Sequence, residues 1–132
     1  MNCVMVTNNS KCFAKWTGKI QVDYSEEWKY LDVLTAARDY IHRGYFLLTH
    51  PLAGSVKPNQ TPFKSILLST ESLEGAEEFK DLILIEESIA AYHKFMNNRP
   101  LPRWSEKSTD DFRTIDLSLM EGAMSNPILN RR

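Results

Sequence analysis

A chain of 132 residues has room for one domain with a real core and too little for two comfortable ones. Its 42% apolar and 25% charged residues are those of a soluble globular protein, and 16 basic against 17 acidic residues give a net charge of −1. That balance excludes the basic face that nucleic acid needs, and no apolar run nears the roughly 20 residues of a membrane span. Residues 1–7, Met-Asn-Cys-Val-Met-Val-Thr, lack a basic n-region and a cleavage site, so the expected location is the cytoplasm.

Residues 3–7 are a short apolar run without alternation, as in a strand buried on both faces. Asn8, Asn9 and Ser10 break it and can cap one or two helical turns through Phe13 and Trp16, which Gly18 ends. Residues 19–24 alternate apolar and polar, as an edge or half-buried strand does. Ser25, with Glu26 and Glu27 after it, reads as a helix start. Leu31, Leu34, Ala37 and Ile41 share one face of that helix, and Gly44 suits the left-handed position beyond its end. A strand is expected over 45–49 and another over 65–69. From about Ser72 to Asn98 a helical stripe of Phe79, Leu82, Ile83, Ile85, Ile89, Tyr92 and Met96 is wide enough for burial against the sheet and a second partner. Pro100 and Pro102 force an extended stretch. Residues 108–111, Ser-Thr-Asp-Asp, cap a last helix with Phe112, Ile115 and Leu119 on one face. The expectation is a single α/β domain over 1–120, with a small, mostly parallel sheet of about four strands packed by three main helices. Residues 121–132 are expected to be a loosely attached tail.

The segment 49–65, Thr-His-Pro-Leu-Ala-Gly-Ser-Val-Lys-Pro-Asn-Gln-Thr-Pro-Phe-Lys-Ser, lies between two of these strands and holds three of the six prolines. Structureless connections beyond roughly 12–15 residues are uncommon in compact domains and usually functional when ordered. In an open α/β sheet, ligands sit beyond the carboxyl ends of the strands. If the first and third strands are parallel neighbours, Thr7, Asn8 and Asn9 meet this loop at one edge. Asparagine and hydroxyl groups would then face His50, Ser55 and Lys57, a set suited to a phosphate or carboxylate. The plain alternative is a loop merely stiffened by proline, with Asn8 and Asn9 as caps and turns.

No enzyme template fits. His50 and Ser55 could form a base and a nucleophile, but the loop has no acid to orient the histidine; Asp23 or Asp116 would have to arrive through folding. Gly54-Ser-Val-Lys57 lacks the spacing of a phosphate-binding Walker loop. There is no metal-ligand cluster, and Cys3 and Cys12 lack metal spacing, so both read first as packing residues. His42 reads as a helix C-terminal cation and His93 as a surface or packing residue. Trp16, Trp28 and Trp104 read as core before pocket.

The loop closely resembles the signature of the GrdX family, from Leu47 through Ser65. The likeness extends to residues 6–9, Val-Thr-Asn-Asn, to 32–44, to 84–89 and to 111–117, and so to most of the chain up to about residue 120. The matched residues with chemistry are Thr7, Asn8, Asn9, His50, Pro51, Gly54, Ser55, Lys57, Pro58, Asn59, Thr61, Pro62 and Lys64. The resemblance implies a small protein encoded beside the glycine, sarcosine and betaine reductase components of amino-acid-fermenting anaerobes. It implies an accessory role, not that of a catalytic selenoprotein or thiol component, and it names no cofactor. Three readings stand side by side. One is an accessory protein holding a small anionic ligand at Thr7, Asn8, Asn9, His50, Gly54, Ser55, Lys57, Asn59, Thr61 and Lys64. The second is a hydrolase or transferase on a phosphorylated or acylated metabolite, with His50 as base and Lys57 beside the oxyanion. The third is an interaction module for a reductase component, through the loop and residues 99–104. A homodimer is compatible with all three.

Overall fold

A computed structural model describes residues 2–52, 56–70 and 76–125, and the side chains of all of these except 76–78. Gly54 and Ser55, the expected helix start near Ser72 and the end of the tail lie outside the described residues. Along the chain run β1 (Cys3–Thr7), α1 (Ser10–Trp16), β2 (Gln21–Tyr24), α2 (Tyr30–His42), β3 (Phe46–Leu47), β4 (Ser65–Ser69), α3 (Ala76–Asn98) and α4 (Glu106–Ser125). No helix among the described residues is long and apolar enough to cross a membrane.

The four strands form one sheet in the order β2-β1-β4-β3. Only β1 and β2 pair in parallel; β4 is antiparallel to both β1 and β3. The expectation of a mostly parallel sheet is thus corrected to a mixed one. Parallel neighbours need a crossover, which α1 supplies between β1 and β2, whereas the segment between β3 and β4 simply turns the chain back. The first and third strands are not neighbours either, because β4 lies between them. The loop still reaches the Thr7–Asn9 turn, since β4 starts where β1 ends and Thr7 pairs with Ser65.

The pleat explains the layers. Val4, Val6, Ile66 and Leu68 face α2 and α3, in a cluster with Val33, Leu34, Ala37, Ile41 and Ile85. Cys3, Met5 and Leu67 face the other way, toward Cys12 and Trp16 of α1 and Met120 of α4. With helices on both faces, β1 and β4 are buried at every position, which is why neither alternates in sequence. Four helices pack the sheet where three main ones were expected, because α1, though only seven residues long, buries Cys12 and Trp16.

Helix ends follow their local chemistry. Asn9 caps α1, its Oδ1 accepting from Lys11 N at 3.1 Å. Gly44, at φ 99°, ends α2: its N–H donates to Ile41 O and that of Tyr45 to Tyr40 O, both near 3 Å, with the Tyr40 and Tyr45 rings 5.0 Å apart. The start of α2 differs from expectation. Ser25 Oγ accepts from Glu27 N in a turn, while Asp32 Oδ2 accepts from Lys29 N at 2.8 Å and fixes the helix start one turn later. Likewise α4 begins ahead of residues 108–111, because Ser105 Oγ takes the N–H of Ser108. It then runs without a break to Ser125, with Met124 packed beneath.

Candidate functional site

The Thr7–Asn9 turn is where the sheet, the loop, the segment ahead of α2 and α4 are tied together. Asn8 uses its whole amide on backbone: Nδ2 donates to Trp28 O at 3.0 Å and Pro62 O at 2.9 Å, and Oδ1 accepts from Lys64 N at 2.9 Å. Asn9 caps α1 with its oxygen, and its Nδ2 donates to Arg113 O at 2.9 Å and Asp116 Oδ2 at 3.0 Å. Both side chains position the site by holding its walls.

Beside them lies a buried polar cluster on the α1/α4 side of the sheet. Ser65 Oγ donates to Asp116 Oδ2 at 2.6 Å, and Cys12 Sγ to the same oxygen at 3.7 Å. Ser65 has one hydroxyl proton, so with that proton on Asp116 the Thr7 hydroxyl must be the donor in the 2.6 Å Thr7–Ser65 bond. Thr7 Oγ1 in turn accepts from Asn9 N at 3.0 Å. Asp116, only 7% exposed, thus accepts from a ring of donors. Burial, and next the Asp116 charge, push the Cys12 thiol up to about 12, which removes it as a nucleophile near neutral pH.

Above this cluster, between the end of the loop and α4, is a small recess of about 20 Å³, room for about one water molecule. Its polar lining is Tyr30, Thr61, Lys64 and Asp116; Val56, Phe63, Phe112, Ile115 and Leu119 form the apolar part. Lys64 is the feature that stands out. It is 5% exposed, and burial brings its ammonium down to about 8, against the upward pull of Asp116. Burial, and then the Asp116 charge, push the Tyr30 phenol up, so it stays a neutral donor. A buried amine, a buried carboxylate and a phenol on one recess are the kind of juxtaposition found where ligands bind.

The other loop residues fall on two sides. His50 is exposed, its Nδ1 accepts from Leu52 N at 3.0 Å, and partial burial followed by the Lys64 charge lowers its pKa. Lys57 lies over the Phe95 ring, 5.7 Å from its centre, and its backbone N–H donates to Gln60 Oε1. Asn59 Nδ2 donates to Phe95 O and Arg99 O, clasping the end of α3. Trp104, 38% exposed, donates from Nε1 to Gln60 O at 2.8 Å. Lys57, Asn59, Gln60, Arg99 and Trp104 thus share an open groove, which adjoins the Lys64 recess at Val56 and Phe112. Among the described residues no hydrogen bond joins His50 to Lys57.

Of the residues singled out by sequence, the structure brings Thr7, Asn8, Asn9, Thr61 and Lys64 together, and sets Lys57 and Asn59 apart with the groove. Asp116 does arrive through folding, but it meets Asn9, Ser65 and Cys12 and makes no hydrogen bond to His50 among the described residues. Sequence reasoning missed Tyr30, Ser65 and Asp116 as lining or supporting groups. The signal for Asp116 was present: it follows Ile115 on the face that carries Phe112 and Leu119, where an acid is out of place unless paired.

None of the curated proteins and none of the solved structures matches the chain. A family model, described as GrdX-like protein, matches residues 4–125, nearly the whole length, and the chain belongs to that family.

Proposed function

We propose that this GrdX-like protein is an accessory protein of reductive glycine, sarcosine and betaine fermentation that binds a small anion at the loop. The observation that carries the reading is Lys64, a cation only 5% exposed on the wall of a recess. Buried ammonium groups are costly and seldom placed without a use for the charge. The recess, about 20 Å³, has no room for a nucleotide. The neighbouring Asp116 already accepts from Asn9 and Ser65, which lessens its competition with an incoming anion for the ammonium.

The test is a thermal-shift titration with small carboxylates and inorganic phosphate, on the native protein and on Lys64→Met and Lys57→Ala. A ligand at about 100 times its Kd stabilises by roughly 2.7 kcal/mol. Stabilisation lost in Lys64→Met and kept in Lys57→Ala supports the reading. No stabilisation across the panel refutes it.

A second reading, docking of a reductase component, rests on the open groove in which exposed Trp104 is fixed to the loop through Gln60 O. Retention of a purified reductase component by the native protein, and loss of that retention in Trp104→Ala, would support it. The enzyme reading built on His50 and Lys57 has no joint geometry behind it, and His50 already engages Leu52 N through Nδ1.

A further inference from the structure

The geometry points to the open groove beside Trp104 as a site for a nucleoside monophosphate, its base on the indole and its phosphate on Lys57 and Arg99. The site is a second one and does not rest on the Lys64 reading, because Lys64 does not line the groove. The groove measures about 650 Å³ and forms where the loop, the end of α3, the connection to α4 and α4 itself converge. Ligand sites are typically roughly 300–1,000 Å³. Its lining carries two cations, Lys57 and Arg99, and no acid. Neither cation makes an ion pair among the described residues, in a chain whose net charge is −1. The carbonyls that end a helix repel anions. Here Asn59 Nδ2 donates to Phe95 O and Arg99 O, at 3.3 and 3.1 Å, and Arg99 N donates to Phe95 O, so that end of α3 is partly covered. A guanidinium beside an ammonium suits a phosphate, which arginine meets with parallel N–H bonds.

The rest of the lining selects a flat ring. Trp104 is fixed by its Nε1–H on Gln60 O at 2.8 Å and leans on Phe112, the ring centres 5.3 Å apart. With its one donor spent, the indole offers a ligand ring surface alone, on which any base can stack. Gln60 Oε1 accepts from Lys57 N, so its amide NH₂ is the group left for a sugar hydroxyl or a base edge. Inorganic phosphate would leave most of the groove to water and Trp104 unused. An uncharged ring would leave the two cations unused. A nucleoside monophosphate engages both ends, and a concavity of ligand size favours it over the flat contact of a protein surface.

The experiment is titration of the full chain with AMP, adenosine and inorganic phosphate, by calorimetry and by NMR of the Trp104 indole N–H. Trp104→Ala, Arg99→Ala and Lys57→Ala are run beside Lys19→Ala, which removes an exposed lysine outside the groove. AMP should bind at least about tenfold more tightly than either fragment and move the Trp104 resonance. Trp104→Ala should raise its Kd at least about fivefold. Arg99→Ala and Lys57→Ala should each raise it and flatten its salt dependence, while Lys19→Ala leaves it unchanged. AMP binding no better than phosphate, an unmoved Trp104 resonance, or an equal loss in Lys19→Ala overturns the proposal. The first two are read on native protein and stand even if a variant fails to fold. A reductase component held through Trp104, with no AMP binding, also overturns it and gives the groove to a protein. Stabilisation by small carboxylates that is lost in Lys64→Met, with no AMP binding, overturns this site and leaves the Lys64 reading standing.

Discussion

On one side of the sheet, Val4, Val6, Ile66 and Leu68 meet α2 and α3 through apolar side chains along the full length of the strands. The opposite side starts the same way, with Cys3, Met5 and Leu67 against Cys12, Trp16 and Met120. It then changes character where β1 ends and β4 begins: the next residues in that series are Thr7 and Ser65, and they meet Asn9 and Asp116. The same two-residue pleat that builds the core therefore delivers polar groups to one end of the α1/α4 layer. The α2/α3 layer gains its stability from area removed from water and is tolerant in detail. The α1/α4 layer is held at its end by a hydrogen-bonded set in which every member depends on the others.

Breaking the apolar side should have the largest effect. Leu34 is fully buried at the centre of the α2/α3 cluster, and Leu34→Ala should cost about 2–5 kcal/mol in urea unfolding, with any ligand binding by the folded fraction unchanged. The polar side should respond differently to a substitution of similar size. Asp116→Leu removes the acceptor shared by Asn9 Nδ2 and Ser65 Oγ and leaves buried donors without partners, a cost of about 2–3 kcal/mol. It also removes the charge that holds up the Lys64 ammonium, so the Lys64 pKa should fall below its present value of about 8. A Leu34→Ala variant that moved that pKa as far would dissolve the distinction between the two layers; NMR titration of the Lys64 side chain reads it.

How legible these layers were in the sequence depends on range. Asn9, Gly18, Gly44 and the unbroken apolar runs of β1 and β4 carry their meaning within a few residues, and each did in the structure what its local chemistry implies. The direction of β4 could not be read, because no short signal says whether a 17-residue connection crosses over or turns back. Two caps competed for α2, and Asp32 won over Ser25; the 25–29 segment instead bends so that Trp28 O reaches Asn8. The loop was correctly the place to look, but its chemistry resides in residues that fold onto it from elsewhere. Tyr30 comes from α2 and Asp116 from α4, some 50 residues away from the loop in sequence.

Lys64 sharpens the comparison through pH, because it is a charge buried where the layer turns polar. Its folded pKa of about 8 lies below the ordinary 10.5, so between those values the unfolded chain holds more protons than the folded one. Stability from this group therefore rises with pH across that window, by on the order of 3 kcal/mol in full. Cys12 acts in the opposite sense: its thiol is raised from 9.0 to about 12, so the unfolded chain loses its proton first and stability falls above pH 9. The net gain should thus be clearest between about pH 8 and 9, and Lys64→Met should abolish it while raising stability at neutral pH by about 1–2 kcal/mol, as loss of an unfavourably buried charge does. Urea titrations at pH 7, 8 and 9 on the two proteins measure the slope directly. A native protein whose stability is flat over that range, like the variant, would mean that Lys64 is hydrated and that the recess is wetter than its 5% exposure implies.

The smallest effect belongs at the surface of the same layer, and it tests whether α4 is held by its buried or its exposed contacts. Lys15 and Glu121 form an ion pair between α1 and α4, with each side chain 42% exposed. Holding two long side chains in one geometry in water offsets most of the Coulomb attraction, so a double-mutant cycle with Lys15→Ala and Glu121→Ala should give a coupling below about 1 kcal/mol, shrinking further in high salt. The Asn9–Asp116 contact joins the same two helices under the surface, where no solvent screens it. A cycle through Asn9→Ala and Asp116→Ala should give the larger coupling, unmoved by salt. Were the Lys15–Glu121 coupling the larger, α4 would be positioned from outside, and the Lys64 recess that it walls would be set by surface charge instead of by the buried ring around Asp116.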